Sequence, residues 1–334
     1  MKLRLLSACA VAACMLWAGG LTAAAQDAKP AAPAKVSGDE RKAAEKVVKA
    51  KGPEARLQAA AEFVQKFPQS SLRPQITESL AAEIAGVTDA QLKTSLAAAY
   101  VDIFTAPGEV ERMTPLLLDS YITEGRADDA FTLGQKWLAQ NPDDAHILYR
   151  LAVVASNESI KGNNKYAALG RQYGVKAGEL IEADKQPPNT DAAKWPAFKA
   201  EALPNVYRSV GIIALKTNDR AGARQYLEKA VAHKSTDPGV LLVLADLAND
   251  DYELTAKQYQ IAAAAEKPAL KKKADEQLDH VIDVYAQAIA ASEASPQYQQ
   301  AAAALRENLT AYYKYRHNNS TDGMQALIDK YKKK

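Results

Sequence analysis

Prolines punctuate this chain at a regular beat, and that spacing limits its fold more than any other feature. Pro68, Pro107 and Pro142 stand 39 and 35 residues apart, each just after a helix-like stretch ending at Phe67, Phe104 or Gln140. Proline lacks an N–H and clashes with the preceding turn, so it stops one helix and lets the next begin. Midway between such stops, Glu124-Gly125-Arg126-Ala127-Asp128 and Thr217-Asn218-Asp219 are short segments of turn-forming residues. Two helices and a turn recurring at this interval suit a stacked helical array.

The residues between the stops agree. They are rich in Ala, Leu, Lys, Glu and Gln, and their apolar positions recur at three and four, as in Leu57, Ala61, Val64, Phe67 and in Leu117, Leu118, Tyr121, Ile122. No stretch alternates apolar and polar residues between hairpin turns. With 48% hydrophobic and 25% charged residues, the 334-residue chain is globular in composition and long enough for one large domain or two ordinary ones. Aromatic residues at 7% are few for a β-sandwich, and two cysteines exclude a disulfide-stapled miniprotein.

Residues 1–25 read as an export signal. Lys2 and Arg4 precede the apolar run Leu5 to Ala18, Gly19-Gly20 breaks it, and Ala23 and Ala25 are small residues at the cleavage positions. The run is too short for a good membrane span. Cys9 and Cys14 both fall in this leader, each after a triplet that resembles a lipoprotein box. Cutting at Cys14 would leave Met15-Leu16-Trp17 at the new start instead of a polar tether, so lipid anchoring is the lesser reading. The mature chain then carries no thiol, neither nucleophile nor thiolate metal ligand. It keeps 40 basic residues against 40 acidic ones once Lys2 and Arg4 leave the original 42 and 40. That balance speaks against nucleic-acid binding. The expected location is the bacterial periplasm or the medium. Residues 26–37, Ala, Pro and Lys with no large apolar side chain over most of their length, read as a flexible tether.

Within 38–265 the residues Tyr207, Val210, Gly211, Ala214, Ala223, Leu227 and Ala230 resemble a tetratricopeptide repeat at that family's spacing. Ala214 departs from it by replacing an aromatic residue, and three extra residues precede Pro238. A second copy keeps Leu117, Tyr121, Ala130 and Pro142 but has Thr114 and Gly134 for the family's aromatics. Weaker copies surround Leu148, Leu151 and Ala152 and the segment ending at Pro68, so the resemblance spans roughly residues 50–265. It implies an all-α fold, a right-handed superhelical solenoid of helix-turn-helix repeats. Gly211, Ala223 and Ala230 let helices approach closely, Tyr207 and Leu227 fill the gaps, and each hairpin covers its neighbour's apolar face.

Residues 184–202 form an irregular segment, because Lys185 to Thr190 with Pro187-Pro188 cannot be helical. It is a loop within a continuous array, or a hinge between halves; the loop is favoured because Trp195 can dock on the repeats beside it. From 266 to 334 the pattern changes. Leu278, Ile282, Tyr285, Ile289 and then Tyr298, Ala302, Leu305, Leu309, Tyr312 predict two longer antiparallel helices joined around Ser295-Pro296. A short capping helix follows, with Ser320 or Thr321 as N-cap and Met324, Leu327, Ile328 and Tyr331 on one side.

Catalytic patterns are missing from the sequence. His146, His233, His280 and His317 stand far apart, and there is no phosphate-cradling loop or Gly-x-Ser-x-Gly turn. The pairs Asp128-Asp129, Asp143-Asp144 and Asp250-Asp251 read as helix-start capping. Asn318, Ser320, Asp322, Gly323 and Asp329 approach the spacing of a calcium loop, but a loop of this kind opens with an acid and closes on Glu, so capping is the better reading. Lys271-Lys272-Lys273 reads as a solvated face amid acids. The cluster Tyr312, Tyr313, Tyr315, Arg316, His317 is a structural collar or, less favoured, a ligand platform. No catalytic residue, cofactor or metal ion is assigned.

The repeat resemblance implies a concave groove lined by each repeat's first helix. Its register falls on Arg112 and Asp119, on His146, Tyr149 and Arg150, and on Asn205, Arg208 and Lys216. That mixture would suit an acidic segment or a C-terminal carboxylate. The expected function is a non-enzymatic exported scaffold that binds a protein or peptide, for example in envelope assembly. The alternatives are a structural protein that self-associates through 266–334, and, less favoured, an all-helical enzyme or small-molecule binder.

Overall fold

A computed structural model describes residues 36–188, 190–293 and 295–332. The leader, its cleavage positions Ala23 and Ala25, and residues 26–35 of the tether lie outside the described residues. Among the described residues there are fifteen α-helices and one 3-10 turn, and no strand. The first group is α1 (Gly38–Lys49), α2 (Pro53–Lys66), α3 (Arg73–Ala85), α4 (Ala90–Ile103) and the single turn α5 (Pro107–Val110). Next come α6 (Met113–Thr123), α7 (Ala127–Leu138), α8 (Ala145–Ile160), α9 (Ala167–Glu182), α10 (Trp195–Lys216) and α11 (Arg220–Ala232). The chain closes with α12 (Pro238–Ile261), α13 (Lys267–Ser292), α14 (Gln299–Arg316) and α15 (Met324–Tyr331).

Helix boundaries follow local chemistry. Ser37 and Glu40 make a reciprocal capping box at α1, with Glu40 N–H on Ser37 Oγ at 3.1 Å and Ser37 N–H on Glu40 Oε2 at 3.2 Å. Asp89, Asp144, Asp219 and Asp237 cap α4, α8, α11 and α12 by accepting backbone N–H groups. Proline occupies the first turn of α2, α3, α5, α10, α12 and α13, where the missing N–H costs nothing.

Packing passes along the chain. Each helix makes its main contacts with elements one or two places away: α2 with α4, α4 with α6, α8 with α10, and each hairpin partner with its mate. One apolar cluster runs from Val47 to Ala230, and a second from Leu227 to Ile328; they meet on α11. The seven residues of the best repeat-like match lie in this interior, with Tyr207, Val210, Ala214, Ala223, Leu227 and Ala230 buried. Gly211 is pressed against Leu227, whose Cγ would stand 2.6 Å from a Cβ placed there. Helix α9 is packed tighter still. Gly170, Gly174 and Gly178 share one face, and Cβ atoms on them would lie 2.0 Å from Ala155 Cβ, 2.5 Å from Val210 Cγ2 and 2.8 Å from Tyr207 Cζ.

Four sequence expectations change. Asp250 and Asp251 are in the middle of α12, not at a helix start, and pair with Arg220 and Arg224 of α11. The last helix is preceded by Gly323 in the left-handed region, φ 88°, instead of being capped by Ser320 or Thr321. There Ser320 Oγ accepts the Asp322 N–H at 3.0 Å, while Asp329 pairs with Lys332 at 2.9 Å, which commits two of the calcium-like positions elsewhere. The irregular segment is shorter than 184–202, since α10 already begins at Trp195 with Pro196 in its first turn. The tyrosine cluster divides. Tyr313 stacks on His317 at 3.8 Å and donates to the Asp322 carbonyl, Tyr312 donates to Asn249, and Arg316 grips Asp279 through two bonds of 2.6 and 2.7 Å. Tyr315 stays 67% exposed.

Candidate partner-binding face

Helices α6, α8 and α10 each carry residues of the expected groove, and side chains of these residues link α8 to both of the others. Arg150 Nε lies 3.1 Å from Asp119 Oδ1, joining α8 to α6. The Tyr149 ring packs edge-on against Phe198 at 6.0 Å, joining α8 to α10, where Asn205 Nδ2 donates to the Glu201 carbonyl at 3.0 Å. Arg208 pairs with Asp237, the N-cap of α12. Burial pushes the Tyr149 phenol up, with the Glu201 carboxylate adding to it. The same cause raises Asp119, and the Arg150 guanidinium works against it.

His146 is turned into this face's inner edge. Its ring packs 4.0 Å from the Phe198 ring and 5.9 Å from the Trp195 ring, with Nε2 3.2 Å from Thr190 Oγ1. Trp195 is 5% exposed and its indole N–H donates to Asp184 Oδ1 at 2.9 Å, while Lys199 reaches the same oxygen at 2.6 Å. Asp184 is thereby fastened to α10, and Thr190 to α8.

Two expected groove residues fall outside the row. Lys216 is exposed in the last turn of α10. Arg112 pairs with Glu78 at 2.9 Å on the rim of a separate cleft of about 710 Å³ between α3 and α5. In that cleft Arg73 holds Glu109 through Nε and Nη2, both at 2.7 Å, and donates Nη1 to the Pro68 carbonyl. Tyr100 lies beneath, its phenol pushed up to about 12 chiefly by burial and its oxygen 3.0 Å from the Glu109 carbonyl. The brace ties α3 to α5.

A third cleft, about 640 Å³, lies between the start of α10 and the end of α11. Its polar groups also pair internally, Lys199 with Asp184 and His233 Nε2 with Glu182 at 2.9 Å. Burial pushes the Glu182 carboxyl up, but hydrogen bonds from His233 and Tyr207, with the Lys229 and His233 charges, outweigh it and hold the pKa below the ordinary range. Among the described residues, no three His, Cys, Asp or Glu side chains gather as metal ligands, and no helix is long and apolar enough to cross a membrane.

Sequence reasoning found Arg112 and Arg208 and missed their carboxylate partners Glu78 and Asp237, and it missed Phe198 beside His146 and Tyr149. A signal was there. Arg112 and Glu78 are 34 residues apart and Arg208 and Asp237 29 apart, separations close to the 39 and 35 residues between the stop prolines. No protein-family model matches the chain, and no curated protein matches it by sequence.

Proposed function

We propose that the chain is a non-enzymatic scaffold, a right-handed solenoid of tetratricopeptide-like helical hairpins exported to the bacterial periplasm or beyond, which holds a partner protein or peptide on the α6, α8, α10 face. Neighbour-to-neighbour packing of successive hairpins supports the solenoid reading. The observation that carries the binding reading is the row Asp119, Arg150, Tyr149, Asn205, Arg208, polar side chains at least partly exposed on α6, α8 and α10, with Arg150 paired to Asp119 and Arg208 to Asp237. Because Arg150 and Arg208 already have carboxylate partners, a bound segment would exchange charges with these pairs, which favours a partner carrying both acidic and basic residues. Envelope assembly is the setting this reading suggests.

The test is affinity capture from the native envelope with the mature chain, the Arg150→Glu, Arg208→Glu double variant, and a form lacking residues 267–334. Loss of one defined partner in the double variant, with the truncated form retaining it, is the expected result. Identical capture by wild type and double variant would sink the groove reading, and loss in the truncated form alone would favour self-association or tail-mediated binding.

A further inference from the structure

Helices α12 and α13 are the two longest, with 24 and 26 residues, or about 36 and 39 Å. On α12 the packing extends to Tyr252, whose ring meets Tyr312 at 5.5 Å, and to the buried Thr255. Among the described residues, the last ion pair tying α11 to α12 is Arg224 with Asp251, and the last tying α14 to α13 is Arg316 with Asp275. Beyond these points the two helices continue as an arm whose apex is the connection at 262–266.

The apex is apolar where solvent should make it polar. Ile261 is 88% exposed and Leu254 59%, and Ala263, Ala264, Ala265 and Ala269 are also exposed. Around it the charge is one-sided. From Leu254 to Lys273 there are five lysines, Lys257, Lys267, Lys271, Lys272 and Lys273, against the single acid Glu266. The acids that face these lysines lie nearer the arm's base: Glu253 is 3.6 Å from Lys257, Asp275 2.6 Å from Lys271, and Glu276 3.9 Å from Lys272, while Lys273 lines a cleft at the base with Asp251, Glu276 and Arg224. In all three the lysine is exposed and its acid one helical turn away, and Asp275 is also shared with Arg316; salt screens such pairs and a stronger anion competes for the lysines. Lys267 rests over the Tyr259 ring at 5.6 Å, an amphipathic pair just below the apex.

A single exposed isoleucine is ordinary, but an apolar tip collared by ammonium groups and a tyrosine has the composition of an interfacial membrane anchor. Lysines near an anionic leaflet gain from its negative potential, and the apolar tip gains by leaving water at the headgroup boundary. A second copy of the chain fits less well, because two such tips would bring lysine collars together. Nucleic acid would reward the lysines but not Ile261. We propose that the α12 and α13 arm docks through its apex on an anionic phospholipid surface, with Ile261 in the headgroup boundary and the lysine collar on the lipid phosphates.

The experiment is co-sedimentation of the chain with vesicles of phosphatidylcholine alone and of phosphatidylcholine mixed with phosphatidylglycerol, at low and high salt. Binding is expected on the mixed vesicles only, and it should weaken with salt. Ile261→Ser should reduce partitioning about tenfold, and Lys271→Gln, Lys272→Gln, Lys273→Gln together on the order of a hundredfold. Both variants should keep the wild-type circular dichroism, since the changed side chains are exposed. No sedimentation with either vesicle, or equal sedimentation with both, overturns the proposal. So does an unchanged Ile261→Ser beside a dead lysine variant, which would mean plain polyanion attraction. A lipid-free dimer that Ile261→Ser dissolves would assign the apex to a second copy instead.

Discussion

Gly178 lies directly against the ring of Tyr207: a Cβ on this glycine would stand 2.8 Å from both Cζ and the hydroxyl oxygen. The ring is fully buried between α9 and α10, stacks on His233 at 5.5 Å, and cannot withdraw without disturbing the core. Gly178→Ala should therefore destabilise the fold by about 1–3 kcal/mol through overpacking. Gly108→Ala is the comparison, because its Cβ would meet nothing within 4 Å. Urea denaturation of the two variants decides it, and equal midpoints would contradict the close approach.

Arg73 and Glu109 give a second prediction. Their side chains are 14% and 11% exposed and are joined by two bonds, so truncating one strands the other's charge. Arg73→Ala should cost about 3 kcal/mol. The double change Arg73→Met, Glu109→Leu should recover most of that loss, and a double-variant melt no better than the single one would show that the brace contributes more than charge compensation.

A pH dependence follows from His146. Burial holds its imidazole pKa below the ordinary 6.5; the Asp144 carboxylate pulls it back and the Arg150 guanidinium adds to the lowering. Thr190, Trp195 and Phe198 supply the other walls and bring no charge. The folded state thus prefers the neutral ring, while the unfolded chain takes up a proton near 6.5. This contribution is complete above that pH and is lost as pH falls through and below it. Urea midpoints measured from pH 7.5 down to about 5 should fall less steeply for His146→Phe than for wild type.

Trp195 pins the 183–194 segment. Trp195→Ala removes a buried indole and its bond to Asp184, with an expected loss of about 3–5 kcal/mol. Limited proteolysis should then cut at Lys185 and Lys194 well before the helices. Trp195→Phe, which keeps an aromatic ring but loses the hydrogen bond and part of the buried indole, should cost less, about 1–3 kcal/mol, and stay more resistant than Trp195→Ala.

How far the sequence carried this reading depended on whether an interaction was local. Helix content, the turn at Thr217-Asn218-Asp219 and the capping role of Asp144 were legible because propensity, positive φ and N-cap chemistry act within a few residues. The Asp250-Asp251 pair misled because acids favour helix starts, whereas these two answer arginines of the preceding helix, which a single-residue rule cannot see. The groove register found Arg150, Tyr149 and Asn205 in one row but placed Arg112 there as well, although its partner Glu78 draws it to another cleft. The three glycines on α9 were overlooked. Their meaning is steric, and it appears only when Ala155, Val210 and Tyr207 are brought against them.

The confinement of packing to elements one or two places apart has a kinetic side. Little loop entropy must be lost before any given contact forms, so the chain should fold rapidly for its size. A hairpin can settle as soon as its neighbour exists, and the molecule can grow from one end without waiting for the other.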